Sequence, residues 1–484
     1  MRSRRWAERH ELKRRLVPFG SEHGGPVLLD DDPPHVFCSE AHTLVLGITG
    51  MGKTSGFSIP LVLSAISSGE NCVAMDPKGE VFETTARAAE NAGYDVVFLD
   101  LRNPVESQGY SLFGEAYRLY HSSDPALRDR ASGMLYAIAD VLYKTDKNSD
   151  PYWEESARTL FIGLSLLAFE TCPLEAITFN ALQFLGADAN TLLRAMTALP
   201  VNSSVRAQLK GYVEAPKDTR ASTYAVFAEG LSKITRSDAL SAMLTDMDGF
   251  EPSRITGRAK TLIYVTIPDE NAMCAMLGSL IVEQISEYLI HLAHEFETLR
   301  LPIRWHFLIE ELGSMARAFP RLPMMMTAGR SRGLRMHLIL QSLSSLTKPY
   351  ESDAETILAN VGLIVVFRVF DLHTAEDFSK RVGTRVVDDA RRIREEPLLR
   401  ATDLLALPQY TALVIVDGSL CSIVRLRRYD ELFDGSRLRG THHAQTRSPR
   451  TLAVVLLKKY IDEFVSIAAK RNMERIAANG LENH

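Results

Sequence analysis

The chain has 484 residues, 46% apolar and 24% charged, with a formal net charge of −5. That length argues against a single compact core and for two domains, or one domain carrying a large insertion. The slightly acidic balance confines any nucleic-acid contact to local basic patches.

Five scattered cysteines, none in a Cys-x-x-Cys pair, argue for a reduced, cytosolic compartment and against a zinc site. No stretch reaches the roughly 18 apolar residues of a bilayer span, and the longest candidate, 160–169, reads as a buried helix. The opening "MRSRRWAERHELKRR" is basic with no hydrophobic segment behind it, so it is not a secretory signal. Its charge suits anionic lipid or DNA near a membrane.

Taken in chain order, "TLVLGIT" (43–49), "NCVAMD" (71–76) and "DVVFLD" (95–100) are predicted buried strands, with helices at 53–68 and 79–92 between them. "TLIYVTI" (261–267), "HFLIEE" (306–311), "RMHLILQ" (335–341) and "VGLIVVFRV" (361–369) continue the series. Apolar strands alternating with helices predict an α/β fold with a mainly parallel sheet covered by helices on both faces. Between about 124 and 255 strand signals vanish and amphipathic helical segments follow one another. An inserted all-α domain at 124–255 explains this, with 1–123 and 256–484 forming one discontinuous domain. A linker at 434–450 and a final helix at about 451–476 close the chain.

The predicted strand 43–49 runs into Gly47-Ile-Thr-Gly50-Met-Gly52-Lys53-Thr54, which satisfies G-x-x-x-x-G-K-[ST] between a strand and a helix, the context this motif requires. Gly47, Thr49, Gly50, Met51, Gly52 and Ser55 present backbone N–H groups or a hydroxyl to phosphate. Lys53 reaches the β- and γ-phosphates, and the Thr54 hydroxyl holds Mg²⁺. Met51 stands where a small residue is common, and its side chain is expected to point outward. ATP and Mg are therefore the predicted cofactors.

"WHFLIEELG" (305–313) is the acidic partner strand, expected beside the P-loop strand. Glu311 occupies the position of a general base. Glu310, on the metal side, is one methylene longer than the usual Asp, which bears on the rate because Mg²⁺ tolerates little distortion. Gln341 ends the next strand, either to sense the γ-phosphate or as a satisfied strand-end amide. Arg330, with Arg332 beside it in "TAGRSRG" (327–333), reads either as an arginine finger toward a neighbouring subunit or as a solvated helix end. Asp76 and Lys78 in "MDPKGE" (75–80) read as a helix cap or as part of the phosphate network.

In order along the chain, "RRWAERHEL", "HTLVLGITGMGKTSG", "MDPKGEVFETTA", "DPYWEESARTLF" and "IEELGSM…LPMMMTAGRSRGLRMHLILQSLSSLTKPY" resemble the type IV secretion coupling proteins, the TraG/TraD-like ATPases of conjugation. The resemblance implies a RecA-like P-loop motor domain with an inserted all-α domain, assembled as a ring, usually a hexamer. Such rings hydrolyse ATP and deliver relaxase-bound single-stranded DNA or protein effectors to the secretion channel. The all-α domain is the implied docking face for the relaxase or effector, and the cytoplasmic face of the bacterial inner membrane is the implied location. With no anchor before Arg4, the expectation is a trimmed chain, a naturally anchorless member or a subunit tethered by a partner.

A FtsK/HerA-like DNA translocase and a nucleotide-gated cargo adaptor with weak hydrolysis are the alternative readings. For single-stranded DNA, "SKRVGTR" (379–385), "RRIR" (391–394) and "RLRRY" (425–429) are the candidate basic linings, or else solvated faces.

Overall fold

The computed structural model describes residues 4–143, 151–246, 248–268, 270–315, 319–389, 392–433 and 453–481. The predicted linker at 434–450 lies outside them. The chain divides into two compact units, one built from residues 1–102 and 255–443, the other from 103–254 and 444–484.

In the first unit a small sheet forms from β1 (Val17–Pro18), β2 (Val27–Leu29) and β3 (His35–Val36). The main sheet has nine strands: β4 (His42–Leu46), β5 (Asn71–Met75), β6 (Asp95–Asp100), β7 (Thr261–Thr266), β8 (Trp305–Ile309), β9 (Leu334–Leu340), β10 (Val361–Val366), β13 (Thr411–Val416) and β14 (Leu420–Arg425). A separate hairpin joins β11 (Thr384–Asp389) to β12 (Arg392–Pro397). The main-sheet order is β14-β13-β10-β4-β9-β8-β5-β7-β6. From β10 to β6 every pairing is parallel, and only β13 and β14 run antiparallel at one edge.

Strands β4, β5, β7, β8 and β9 are buried at every position. This is why they read as continuous apolar runs rather than alternating ones: a parallel sheet is covered on both faces. The α/β class expected from the sequence is observed.

One strand position differs. The acidic strand β8 is not beside the P-loop strand β4, because β9 lies between them and pairs with both. The helix Leu322–Arg332 lies on the crossover from β8 to β9, and strands joined in this way are usually neighbours.

Several polar groups at the starting ends of these buried strands pair with one another. His306 bonds His337 at 3.0 Å and Glu70 at 2.8 Å, and Glu40 meets Arg300 and Arg304 at 2.7 Å each and Arg335 at 2.6 Å.

The helical unit contains helices Pro125–Tyr143, Pro151–Thr171, Phe179–Ala187, Ala189–Ala198, Ser204–Val213, Lys217–Thr235 and Asp238–Leu244 around fully buried Phe113, Phe161, Phe169, Phe179 and Phe227. Side-chain caps start several of them: Thr178 accepts from the Ala181 N–H, Asp188 from Thr191 and Ser237 from Leu240. The unit begins before the expected residue 124 because its entering and leaving segments pair. Tyr110 donates to Met243 at 2.8 Å, Leu112 to Leu244 at 3.0 Å, and Phe250 to Gly109 at 2.7 Å. It also takes in the final helix Ala453–Leu481, expected with the α/β domain. That helix buries Leu457 and Ile461 and pairs Asp462 with Arg194 at 3.1 Å.

Among the described residues one helix, 272–295, is long and apolar enough to cross a membrane, rather than the 160–169 stretch, and 67% of its apolar window is buried inside the protein. Within it Glu283 is buried, accepting a hydrogen bond from the Arg321 backbone N–H at 3.0 Å. Burial pushes its pKa up to about 7, against that hydrogen bond. A raised carboxylate pKa means that the folded state holds the proton longer, so stability is lost as pH climbs from about 4.5 to above 7. Glu283→Gln is expected to raise the melting temperature at pH 8, by as much as about 3 kcal/mol of stability, and to change little at pH 4.5. Calorimetry across that range checks it.

Candidate nucleotide site

Parallel strands end together at one edge of the sheet, and the segments leaving β4, β5, β8, β9 and β10 meet there. β4 leads into Gly47, whose missing side chain is required: a Cβ would lie 2.7 Å from Phe367. The Ile48 N–H donates to the Arg368 carbonyl at 3.0 Å. The turn continues through Thr49 and through Gly50 and Gly52, both at positive φ (81° and 93°), to Lys53 and Thr54. Thr54–Ser58 forms a widened π-type turn before the helix Ile59–Ser67, a distortion that recurs at functional sites.

Lys53 is buried, and its Nζ donates to the Gly47 carbonyl at 2.6 Å and the Ile48 carbonyl at 3.0 Å. Burial lowers its pKa, and the charges of Glu311 and Glu310 oppose that. Lys78, exposed after β5, adds a further lowering charge. Met51 corrects the expectation: its side chain turns inward, only 5% exposed, into the core. The apolar cluster beneath the loop accepts its flexible thioether, while its carbonyl accepts from the Tyr410 N–H at 3.1 Å.

Glu310 and Asp76 leave the adjacent strands β8 and β5, whose last residues Ile309 and Met75 are paired. Both carboxylates are buried. Asp76 accepts from the backbone N–H groups of Lys78 at 2.9 Å and Val81 at 2.7 Å, capping the helix Glu80–Asn91. Glu310 accepts from the Ser58 hydroxyl on the P-loop helix. Burial raises the pKa of Glu310 well above the carboxylate range; Asp76 adds to this, and the Ser58 hydrogen bond and Lys53 oppose it. Asp76 is raised by burial against its two backbone hydrogen bonds.

Glu311 sits at φ 53°, a left-handed conformation that costs a non-glycine residue energy and that clusters at functional sites. Gln341, at the end of β9, donates to the Glu311 carboxylate at 3.1 Å.

The predicted residues that converge here are Gly47, Thr49 through Ser55, Asp76, Lys78, Glu310, Glu311 and Gln341. Arg330 does not join them. It is exposed at the end of Leu322–Arg332, just before β9 begins, and its charge acts on His42 at the start of β4. That is the opposite edge of the sheet, roughly 16 Å along β4 from the P-loop.

The basic linings are largely paired: Arg381 with Asp377 at 2.6 Å, Arg427 with Asp30 at 2.8 Å and Arg428 with Asp430 at 2.9 Å. Arg391 lies outside the described residues. Sequence reading missed Ser58, Gln409 and Tyr410. Gln409 donates to the Gly50 carbonyl at 2.8 Å, and the Tyr410 hydroxyl lies 3.2 Å from Ser55 Oγ. Ser58 stands one helical turn after Thr54 and was available as a polar residue in an apolar helix, whereas nothing local marks Gln409 or Tyr410.

Residues 7–412 match the family described as Type IV secretory system Conjugative DNA transfer. Two curated relatives are VirD4 proteins: that of Rhizobium rhizogenes is 24% identical over 81% of this chain and 58% of that protein, and that of Rhizobium radiobacter 26% identical over 78% and 54%. The chain thus spans under three-fifths of the length of these relatives. Among solved structures, the plasmid coupling protein TrwB in complex with ADP and Mg²⁺ matches at TM-score 0.63 and 21% identity, covering 93% of this chain and 95% of that one. VirB4 of Thermoanaerobacter pseudethanolicus matches at TM-score 0.52 and 11% identity, covering 85% and 98%. These likenesses carry the fold. Together with the ordered strand-end residues, the family match over residues 7–412 means that this chain belongs to the type IV secretory system conjugative DNA transfer family, the coupling proteins.

Proposed function

We propose that the chain is an ATPase that couples Mg²⁺-dependent ATP hydrolysis to the delivery of relaxase-bound single-stranded DNA, or protein substrates, to a type IV secretion channel. The observation that carries this reading is the meeting of buried Lys53 with buried Glu310 and Asp76 beside a Glu311–Gln341 pair.

In this reading Lys53 exchanges the Gly47 and Ile48 carbonyls for the β- and γ-phosphate oxygens. Two buried carboxyl groups beside one ammonium hold their protons more tightly than free carboxylates do, and a divalent cation held by few protein ligands would favour their ionised forms. Thr54 and Glu310 would hold the magnesium ion, with Asp76 behind them. When bound, it would neutralise charge developing on the transferred phosphoryl group. Glu311 takes the proton of the attacking water, with its carboxylate oriented by Gln341. Arg330 faces away from its own P-loop, so any contribution to hydrolysis is made to a neighbouring subunit of a ring, for which a hexamer is the proposed form. The helical unit is the proposed docking face for relaxase or effector, and the cytoplasmic face of the inner membrane the proposed location.

Lys53→Ala is expected to abolish ATP binding. Glu311→Gln should retain binding but lose at least about a hundredfold in turnover; titration and steady-state ATPase with single-stranded DNA separate the two. An unchanged rate in Glu311→Gln would remove the general base.

Glu310→Gln tests the metal side. Because its pKa is raised in the fold, the carboxylate costs stability increasingly as pH rises out of the carboxylate range. The variant should therefore melt higher than wild type at pH 8 without ligand, equal it near pH 4.5, and gain less from Mg²⁺–ATP. For Arg330, doping Arg330→Ala subunits into wild-type rings should depress ATPase more than in proportion to the dose, and a proportional fall would exclude a role across subunits.

A further inference from the structure

The segment that leads into β13 closes on the P-loop from outside. Gln409 Nε2 donates to the Gly50 carbonyl at 2.8 Å, the Tyr410 N–H donates to the Met51 carbonyl at 3.1 Å, and the Tyr410 hydroxyl lies 3.2 Å from Ser55 Oγ. The ring fills the space left by two glycines one helical turn apart. A Cβ on Gly52 would lie 2.4 Å from Tyr410 Cε1, and one on Gly56 3.1 Å from its Cδ1. Tyr410 holds φ 59°, which a tyrosine adopts only when its surroundings impose it. Its own carbonyl is tied to the Leu426 N–H at 2.7 Å, next to the end of β14. Just before it, the Leu407 carbonyl accepts from Arg368 Nε at 2.7 Å, and the Arg368 carbonyl in turn holds the Ile48 N–H.

The contacts on Gly50 and Met51 engage carbonyl oxygens, so they leave the N–H groups of the same turn facing inward, where phosphate is bound in a loop of this kind. We infer that Gln409 and Tyr410 are positioning residues of the nucleotide site. They clasp the turn 50–55 by its outer face, keep its N–H groups aimed at the phosphates, and make nucleotide affinity depend on the seating of the β13–β14 hairpin. The glycines at 52 and 56 serve this contact as much as the backbone turn. The inference rests on the proposed ATP site.

The test is equilibrium titration of the full chain with a fluorescent ATP analogue and Mg²⁺, together with melting temperatures with and without ATP. Tyr410→Ala is expected to weaken analogue binding at least tenfold and to shrink the melting shift that ATP produces. Tyr410→Phe, which keeps the ring against both glycines, should recover binding to within about threefold of wild type. Gln409→Leu alters an exposed side chain, so it should fold normally and still weaken binding severalfold. In steady state the loss should fall on KM with kcat nearly unchanged, since a loop that grips ground and transition states alike supplies uniform binding.

A merely structural tyrosine would lower the melting temperature of the free protein and leave the ATP-induced increment intact, because that increment reads only affinity. Binding by Tyr410→Ala and Gln409→Leu within twofold of wild type, while Lys53→Ala binds nothing, would overturn this inference alone. No binding by wild type would overturn the nucleotide site and this inference with it.

Discussion

The site depends on one electrostatic constraint: Glu310, Asp76 and Lys53 are buried within reach of one another's charge, two carboxyl groups beside one ammonium. Buried charges are costly unless paired, hydrogen-bonded or neutralised, and each of these groups is answered differently. Lys53 spends its protons on two loop carbonyls, Asp76 caps a helix with two backbone N–H groups, and Glu310 takes the Ser58 hydroxyl while burial holds its pKa high. Burial disfavours the charged form of all three groups. A site of this kind is most stable when a cation and an anionic chain that brings its own oxygens enter together.

Sheet topology is what brings the three groups within reach. Parallel strands deliver their C-terminal ends to one edge, so a lysine after β4, an aspartate after β5 and a glutamate after β8 meet although far apart in the chain. The intervening β9 separates the acidic strand from the P-loop strand and places Gln341 between them, beside Glu311. The same topology sends Arg330 to the far edge, where the connection into β9 begins. The opposite edge is tied by a different network, in which Glu40 holds three arginines and Glu70 holds His306. The two ends of the sheet thus carry separate polar systems with an apolar core between them.

Much of this was legible in the residues. The buried strands announced themselves because parallel strands covered on both faces are continuous apolar runs, a signal carried by a few adjacent side chains. The P-loop and the Glu310-Glu311 pair were legible for a like reason: their chemistry demands particular residues at fixed short spacing. The antiparallel strands β13 and β14 went unpredicted. With one edge half exposed, β14 alternates buried and open positions and gives a weaker local pattern. The helical insertion was visible from periodicity, but its true start was not, because the pairing of 109–112 with 243–250 joins segments more than a hundred residues apart.

The sequence alone determined the fold class, the seven parallel strands of the main sheet, the phosphate-binding loop and the acidic residues that follow β8. Only the tertiary structure decided which strands are neighbours, that Met51 turns into the core, that the final helix groups with the helical unit, and that Gln409 and Tyr410 close on the loop. The first set follows from short-range preferences that each segment carries with it. The second follows from which cavity or glycine face a distant segment fills, and that exists only once the chain has packed.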